Sequence, residues 1–162
     1  MASKKGIIMT AVILGAITAT SFLIWILPSG STIAISDYGA YLDRVQQINS
    51  GVTDVVDNNF QMLISGTLDA DEYIDSAKAS STQLRSEMIQ IMQVGIPEQW
   101  GESYQKQIDL IMRSVEYIRE TIAAAERINK GENADDAIEA AYMVREHVDE
   151  MALEIDSMRP DA

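Results

Sequence analysis

The side chains of this sequence that are best suited to hold a metal ion lie near its C-terminal end. Met143, His147 and Met151 follow one another at four-residue spacing, which places them along one side of a helix. Thioethers and an imidazole together suit Cu(I). The spacing therefore supports a copper site as one hypothesis. In the competing interpretation, Met151 belongs to a helical core, Met143 flanks it and His147 lies at the edge.

Two asparagines occupy positions at which a helix would bury its side chains. Asn49 and Asn59 fall in the apolar stripe of the first helix after residue 36. A buried asparagine often fixes the register of packed helices at some cost in stability. We expect this role for both residues, and a cleft for a small ligand is the alternative.

Two aromatic residues, Trp100 and Tyr104, are four positions apart near the start of another predicted helix. We expect this pair to close one end of a helical bundle against the loop at Ile96 and Pro97. In the functional alternative, the two rings anchor a partner protein.

The sequence shows no motif of an enzyme or of a cofactor site. A di-iron carboxylate bundle needs Glu-x-x-His on two helices, but His147 is the only histidine and Val144 stands three residues before it. The chain has no cysteine, which excludes disulfides, zinc thiolate sites and iron–sulfur clusters. It also has no glycine-rich phosphate loop and no Ser-His-Asp signature. We therefore expect a non-enzymatic protein without an obligatory cofactor.

Four helices are predicted to carry these side chains. Over residues 36–158, apolar residues recur at alternating spacings of three and four, which is typical of helices with one buried seam. The predicted seam of the second helix is Ile74, Ala77, Ser81, Leu84, Met88 and Ile91, and that of the third is Tyr104, Ile108, Ile111, Val115, Ile118, Ile122 and Ala125.

Glycines and capping residues mark the predicted helix ends. Gly66, Gly95 and Gly131 are predicted to end the first three helices. The starts of the later helices are predicted at Asp69 with Glu72, at Pro97 with Glu98, and at Asn133 with Asp136. Connections this short make consecutive helices antiparallel neighbours.

The predicted fold class is all-α, with a single N-terminal transmembrane helix followed by an up-down-up-down four-helix bundle. An extended pair of hairpins, or a bundle completed by another subunit, is the structural alternative. The predicted division of the chain is a cytoplasmic N-terminus at 1–6, a transmembrane helix at 7–27, a linker at 28–35, the bundle at 36–158 and a tail at 159–162.

The transmembrane prediction depends on the length of one uncharged run. Residues 7–27 contain no charged side chain, and a helix of that length spans about 30 Å, the thickness of a bilayer core. Trp25 near its end suits the headgroup level. A cleaved signal peptide is disfavoured because its apolar region is usually about 7–15 residues long. We therefore expect an uncleaved anchor.

The distribution of charge predicts how the anchor is oriented. Lys4 and Lys5 precede the uncharged run, which keeps the N-terminus in the cytoplasm. All 25 acidic residues follow that run, and the whole chain has a net charge of −13. Such a domain is repelled by nucleic acid and by anionic lipid. We expect a single-pass protein of the cell membrane with its acidic bundle outside the cytoplasm.

One face of the predicted anchor carries small residues. Ala11, Gly15 and Ala19 are four positions apart, which lets a second helix approach closely, and Thr18 and Ser21 offer hydrogen bonds between helices. A partner helix is one interpretation of this face. The other is that small residues are simply common in membrane helices.

The opening of the chain, from Lys4-Lys5-Gly6-Ile7 through Trp25-Ile26-Leu27-Pro28, resembles the leader of small single-span membrane proteins of ammonia-oxidising archaea. This resemblance implies an archaeal membrane and an acidic domain that faces outward. It also implies an accessory subunit of a membrane complex, with the copper-dependent ammonia monooxygenase as a candidate.

The layout of the remaining chain is similar to that of the four-helix extracytoplasmic sensor modules of chemoreceptors. Both have an anchor followed by heptad-patterned helices, which implies a bundle that binds a ligand. The sequence departs from the chemoreceptor layout after Arg159, where neither a second membrane span nor a cytoplasmic domain follows. A sensory bundle of this kind would need a partner to signal.

The function expected from the sequence is that of a membrane-anchored interaction module or accessory subunit, which contacts protein partners through its anchor and its bundle. A ligand-binding or sensory bundle is the first alternative, and copper handling is the second.

Overall fold

The structure, a computed structural model of the 162-residue chain, describes residues 37–158. These residues all belong to one compact unit. The predicted anchor at 7–27, with its face of Ala11, Gly15 and Ala19, lies outside the described residues, as do the predicted linker at 28–35 and the tail at 159–162.

Four α-helices make up most of the described region, which contains no strand. They are α1 (Tyr38–Ile64), α2 (Ala70–Met92), α3 (Gly101–Asn129) and α4 (Asp135–Ser157), with a short 3-10 turn at Glu98–Trp100 before α3. The prediction of an all-α bundle of four helices is confirmed. Between residues 37 and 158 no helix is both long and apolar enough to cross a membrane.

Side-chain caps and glycines define several helix ends, and those at Asp69, Gly66 and Gly131 are as the sequence predicts. Asp37 Oδ1 accepts a hydrogen bond from the backbone N–H of Ala40 at 2.9 Å, which caps α1. Asp69 accepts one in the same way from the first turn of α2. Gly66 and Gly131 have φ angles of 73° and 69°. This left-handed conformation closes α1 and α3 at little steric cost, because glycine has no Cβ.

The second helix ends close to the predicted position, but Gly95 is not the residue that closes it. α2 ends at Met92, and Gly95 does not adopt a left-handed φ. Instead, the carbonyl oxygen of Gly95 accepts a hydrogen bond from the Tyr38 hydroxyl at 3.2 Å. This contact ties the α2–α3 connection to the start of α1. The chain then turns at Pro97 into the 3-10 turn.

Contacts between helices show that their neighbours run antiparallel. Lys106 Nζ in the first third of α3 lies 3.5 Å from Glu154 Oε2 near the end of α4. Arg145 Nη2 in α4 lies 3.3 Å from Asp54 Oδ1 in α1, so α4 returns beside α1. α3 packs extensively against α2 and α4 and also contacts α1. It is therefore the central helix of the bundle.

The buried faces of α2 and α3 differ from the predicted seams. On α2, Ser80 and Glu87 are buried, whereas Ser81 and Met88 are only partly buried. A helix that contacts three others is covered beyond a single stripe. Accordingly, the buried set on α3 is wide and partly polar, comprising Ser103, Tyr104, Gln107, Leu110, Ile111, Ser114, Tyr117, Ile118, Thr121, Ala124 and Ala125.

Candidate functional site

The core of the bundle contains polar side chains on α1, α2 and α3. In the described region the buried polar or charged residues are Asn49, Thr53, Asn59, Ser80, Glu87, Ser103, Gln107, Ser114 and Thr121. The short hydroxyl side chains on α3 bond to their own helix: Ser114 Oγ donates to Leu110 O at 3.0 Å, and Thr121 Oγ1 donates to Ile118 O at 2.8 Å. The amide side chains of the core are less completely paired.

Gln107 on α3 has the least satisfied side chain of this core. It is fully buried, and neither Nε2 nor Oε1 has a hydrogen-bond partner among residues 37–158. Asn49 Oδ1 and the Tyr104 hydroxyl are also buried without such a partner. An unpaired buried polar atom costs about 1–3 kcal/mol. A hydrogen bond to an ordered water or to another polar molecule would remove this cost.

The burial predicted for the two seam asparagines is confirmed, since Asn49 is 3% and Asn59 is 4% exposed. Asn59 Nδ2 on α1 donates to Ser76 Oγ on α2 at 3.3 Å. A hydrogen bond across two helices favours one register over others, as predicted for such a residue. The Asn49 side-chain oxygen has no comparable partner in the described part of the chain. A ligand-facing role therefore stays a prediction for Asn49.

Aromatic rings fill the end of the bundle at which α1 begins. The ring centroids of Tyr38 and Trp100 are 6.3 Å apart and stacked, and those of Tyr41 and Tyr104 are 6.1 Å apart and stacked. Tyr104 is fully buried, and burial raises the pKa of its hydroxyl. Trp100 is only partly buried. Its use as an anchor for a partner protein stays a prediction, and of the predicted pair only Trp100 is accessible.

A hydrogen-bonded network joins α1, α3 and α4 in the middle of the bundle. Tyr117 Oη donates to Asp57 Oδ1 at 3.1 Å, and burial raises the pKa of Tyr117. The guanidinium carbon of Arg145 lies 5.8 Å from the centroid of the Tyr117 ring. Arg145 also pairs with Asp54 at 3.3 Å and with Asp149 at 2.9 Å. These contacts bridge α1, α3 and α4 through their side chains.

Glu87 on α2 is the one charged residue that is buried in the described region. Burial raises the pKa of its carboxyl, and Arg44 on α1 opposes the rise. After burial, the charge of Glu87 is the next cause of a raised pKa at Tyr41. The Glu87 carboxyl therefore lies beside Arg44 and Tyr41, at the α1–α2 seam.

Glu87→Gln is expected to stabilise the protein near neutral pH but not in acid. Because folding raises the pKa of Glu87, its contribution to stability is fully present below the unfolded pKa and is lost as pH rises through the folded pKa. The variant removes that loss. Thermal melting should show a higher midpoint for the variant at about pH 7 and equal midpoints at about pH 3. Glu146→Gln, at an exposed position on α4, is the control, and equal midpoints at every pH would contradict the burial of Glu87.

The predicted copper ligands lie along one side of α4. Met143 is 67% exposed, the His147 side chain is 55% exposed, and Met151 is partly buried. His147 Nδ1 lies 3.5 Å from Glu150 Oε2.

Met151 also lines a groove of about 310 Å³ between α3 and α4. The other residues that line this groove are Asp109, Met112, Arg113 and Glu116. Over residues 37–158 no three His, Cys, Asp or Glu side chains are grouped to hold a metal ion.

Comparison of the chain with protein-family models, with curated proteins and with solved structures gives no significant match. Its function is therefore inferred from the side chains and sequence features described above.

Proposed function

We propose that this protein is a non-enzymatic helical bundle, anchored in a cell membrane by residues 7–27 and exposed outside the cytoplasm, that serves as an interaction module or accessory subunit of a membrane complex. One observation carries the proposal. An uncharged run of membrane-spanning length, preceded by Lys4 and Lys5, is followed after ten intervening residues by a folded acidic bundle that begins at Tyr38.

Contact with a partner inside the membrane is supported by the small-residue face of the anchor. Ala11, Gly15 and Ala19 together give a second helix room to approach the backbone closely. The resemblance of residues 4–28 to small archaeal membrane proteins supports ammonia monooxygenase as the first complex in which to look for this chain.

Contact outside the membrane is supported by the outward face of α4. Met143, Glu146, Glu150 and Leu153 follow spacings of three and four residues and are all exposed. Leu153 is 80% exposed, although it is a large apolar residue. A stripe with an apolar residue at each end and carboxylates between them suits a partner helix that carries basic residues.

Extraction from the native membrane tests the proposal. In a mild detergent, the tagged full-length chain is expected to migrate on native gels as a species larger than the monomer and to carry a second protein with it. Recovery of the monomer alone would overturn the proposal.

A second function, that of a ligand-binding bundle that needs a partner to signal, is favoured by one observation in the core. Gln107 and Asn49 bury side-chain amide atoms that have no partner in the described region. Binding sites for small molecules place a few polar groups within apolar surroundings. Substitution of Gln107 tests whether its buried amide atoms are unpaired in the protein.

Gln107→Leu is expected to raise the free energy of unfolding by about 1–3 kcal/mol, because a similar apolar volume replaces unpaired polar atoms. Denaturant unfolding measures the change. Gln105→Leu, at an exposed position of the same helix, should change stability by no more than about 0.5 kcal/mol. If Gln107→Leu instead destabilises the protein, the Gln107 amide is hydrogen-bonded in the core, to an ordered water or to a bound polar molecule.

A further inference from the structure

The end of the bundle at which α1 begins presents apolar and aromatic side chains to solvent. Met92, the last residue of α2, is 64% exposed, and Ile89, three residues earlier on the same side of the helix, is 54% exposed. Trp100 and Tyr38 are partly exposed, and their stacked rings have centroids 6.3 Å apart. Apolar side chains that are exposed together mark a contact surface, whereas scattered single ones are normal.

The α2–α3 connection holds these side chains at one end. The Tyr38 hydroxyl donates to Gly95 O at 3.2 Å, and Gly95 is only three residues beyond the end of α2 at Met92. Ile96, which is partly exposed, follows in the same connection, and the chain then reaches Trp100 through the 3-10 turn. We call this surface the aromatic end, and it comprises Tyr38, Ile89, Met92, Ile96 and Trp100.

The opposite end of the bundle has a different surface. The α1–α2 and α3–α4 connections and the helix turns beside them carry exposed charged side chains, namely Asp69, Asp71, Glu72, Lys130, Glu132, Asp135 and Asp136. Charged groups in this number stay in water, because burial of an unpaired charge is costly. Of the two ends, the aromatic end is therefore the one that suits contact with an apolar phase.

The length of chain between the proposed anchor and α1 favours the same end. The chain from Leu27, the last residue of the uncharged run, to Tyr38 spans at most about 40 Å when fully extended. α1 has 27 residues and is therefore itself about 40 Å long. The opposite end, at Ile64, could face the lipid only if this connector were stretched to its limit. The proposed anchor therefore favours the aromatic end as the one near the lipid surface.

We propose that the aromatic end lies at the headgroup level of a zwitterionic lipid surface, with Trp100 and Met92 as its main lipid contacts. Tryptophan and tyrosine favour this level because their rings are apolar over most of their surface and form hydrogen bonds at one edge. Asp37, Glu98 and Glu102 are exposed near the same end and would be repelled by anionic headgroups, so the lipid is zwitterionic. This inference rests on the proposed membrane anchor.

Tryptophan fluorescence of the full-length chain in phosphatidylcholine vesicles tests this contact. The chain has two tryptophans, so Trp25→Phe leaves Trp100 as the only one. We expect Trp100 to lose most of its emission when the lipid is brominated near the top of its acyl chains, because bromine quenches a ring only at close range. The loss should be smaller when phosphatidylserine, brominated in the same way, is mixed into the vesicles. An equal loss would contradict the preference for zwitterionic lipid.

A second single-tryptophan variant is the control. Ile64→Trp, combined with Trp25→Phe and Trp100→Phe, places the ring at the opposite end, where the wild-type residue is 40% exposed, and should keep its emission. Circular dichroism verifies that each variant is folded. A chain that does not float with the vesicles in a density gradient would refute the anchor and this inference together. A chain that floats but keeps its Trp100 emission, or loses the Ile64→Trp emission equally, would refute this inference alone.

Discussion

Phe60→Ala is expected to lower the free energy of unfolding by about 3–5 kcal/mol, a large part of the about 5–15 kcal/mol typical of a folded protein. Phe60 on α1 is fully buried. Its ring centroid lies 5.7 Å from that of Tyr73 on α2 and 6.1 Å from that of Tyr142 on α4. Loss of the ring would therefore leave a cavity between three helices. Urea unfolding of the full-length chain, followed by circular dichroism, measures the effect.

Val55→Ala is the matched control, because Val55 lies on the same helix and is 37% exposed. Substitutions of exposed residues usually change stability by about 0.5 kcal/mol or less, so a much smaller effect is expected at Val55. Equal losses at Val55 and Phe60 would contradict the packing of α1 against α2 and α4.

Gly15→Ile is expected to separate the protein from the proposed partner while leaving the bundle folded. A branched side chain at the centre of the small-residue face keeps a second helix at a distance. Lipid tails are as apolar as isoleucine, so nothing in the bilayer compensates for the lost packing. We expect most of the chain to move from the complex to the monomer. Because Gly15 lies in the predicted anchor, the melting of the bundle should not change.

Ala16→Ile is the control for this substitution. It adds the same side chain one position further along, about 100° around the helix, away from the face of Ala11, Gly15 and Ala19. Assembly should survive in this variant. If both variants assemble like the wild type, the anchor contributes no contact and only the outward face of α4 is left to bind a partner.

The sequence is sufficient to predict the helices because their signals are local. Periodic apolar residues, the aspartate at position 69 and the glycines at positions 66 and 131 each act within a turn or two of where they stand. The prediction fails at Gly95 because the α2–α3 connection is held by a distant contact, the hydrogen bond from Tyr38 to its carbonyl oxygen. A single stretch of sequence contains no sign of such a contact.

The seam pattern does not predict the polar part of the core, because it is defined by the spacing of apolar residues and passes over buried polar ones. Gln107, Ser114 and Thr121 are spaced seven residues apart and lie on one face of α3. This spacing is the available signal. The spacing indicates a buried face only because α3 contacts three helices, which cover more of its surface than a single seam would. That Met112 and Met151 line one groove likewise depends on how α3 and α4 pack.

The most direct test of the proposed function compares three forms of the chain on one native gel after mild-detergent extraction from the native membrane: wild type, Gly15→Ile and Ala16→Ile. We expect a complex with a second protein for wild type and Ala16→Ile, and a monomer of 17.9 kDa chain mass in its micelle for Gly15→Ile. A wild-type protein that runs as the lone monomer would contradict the proposed function.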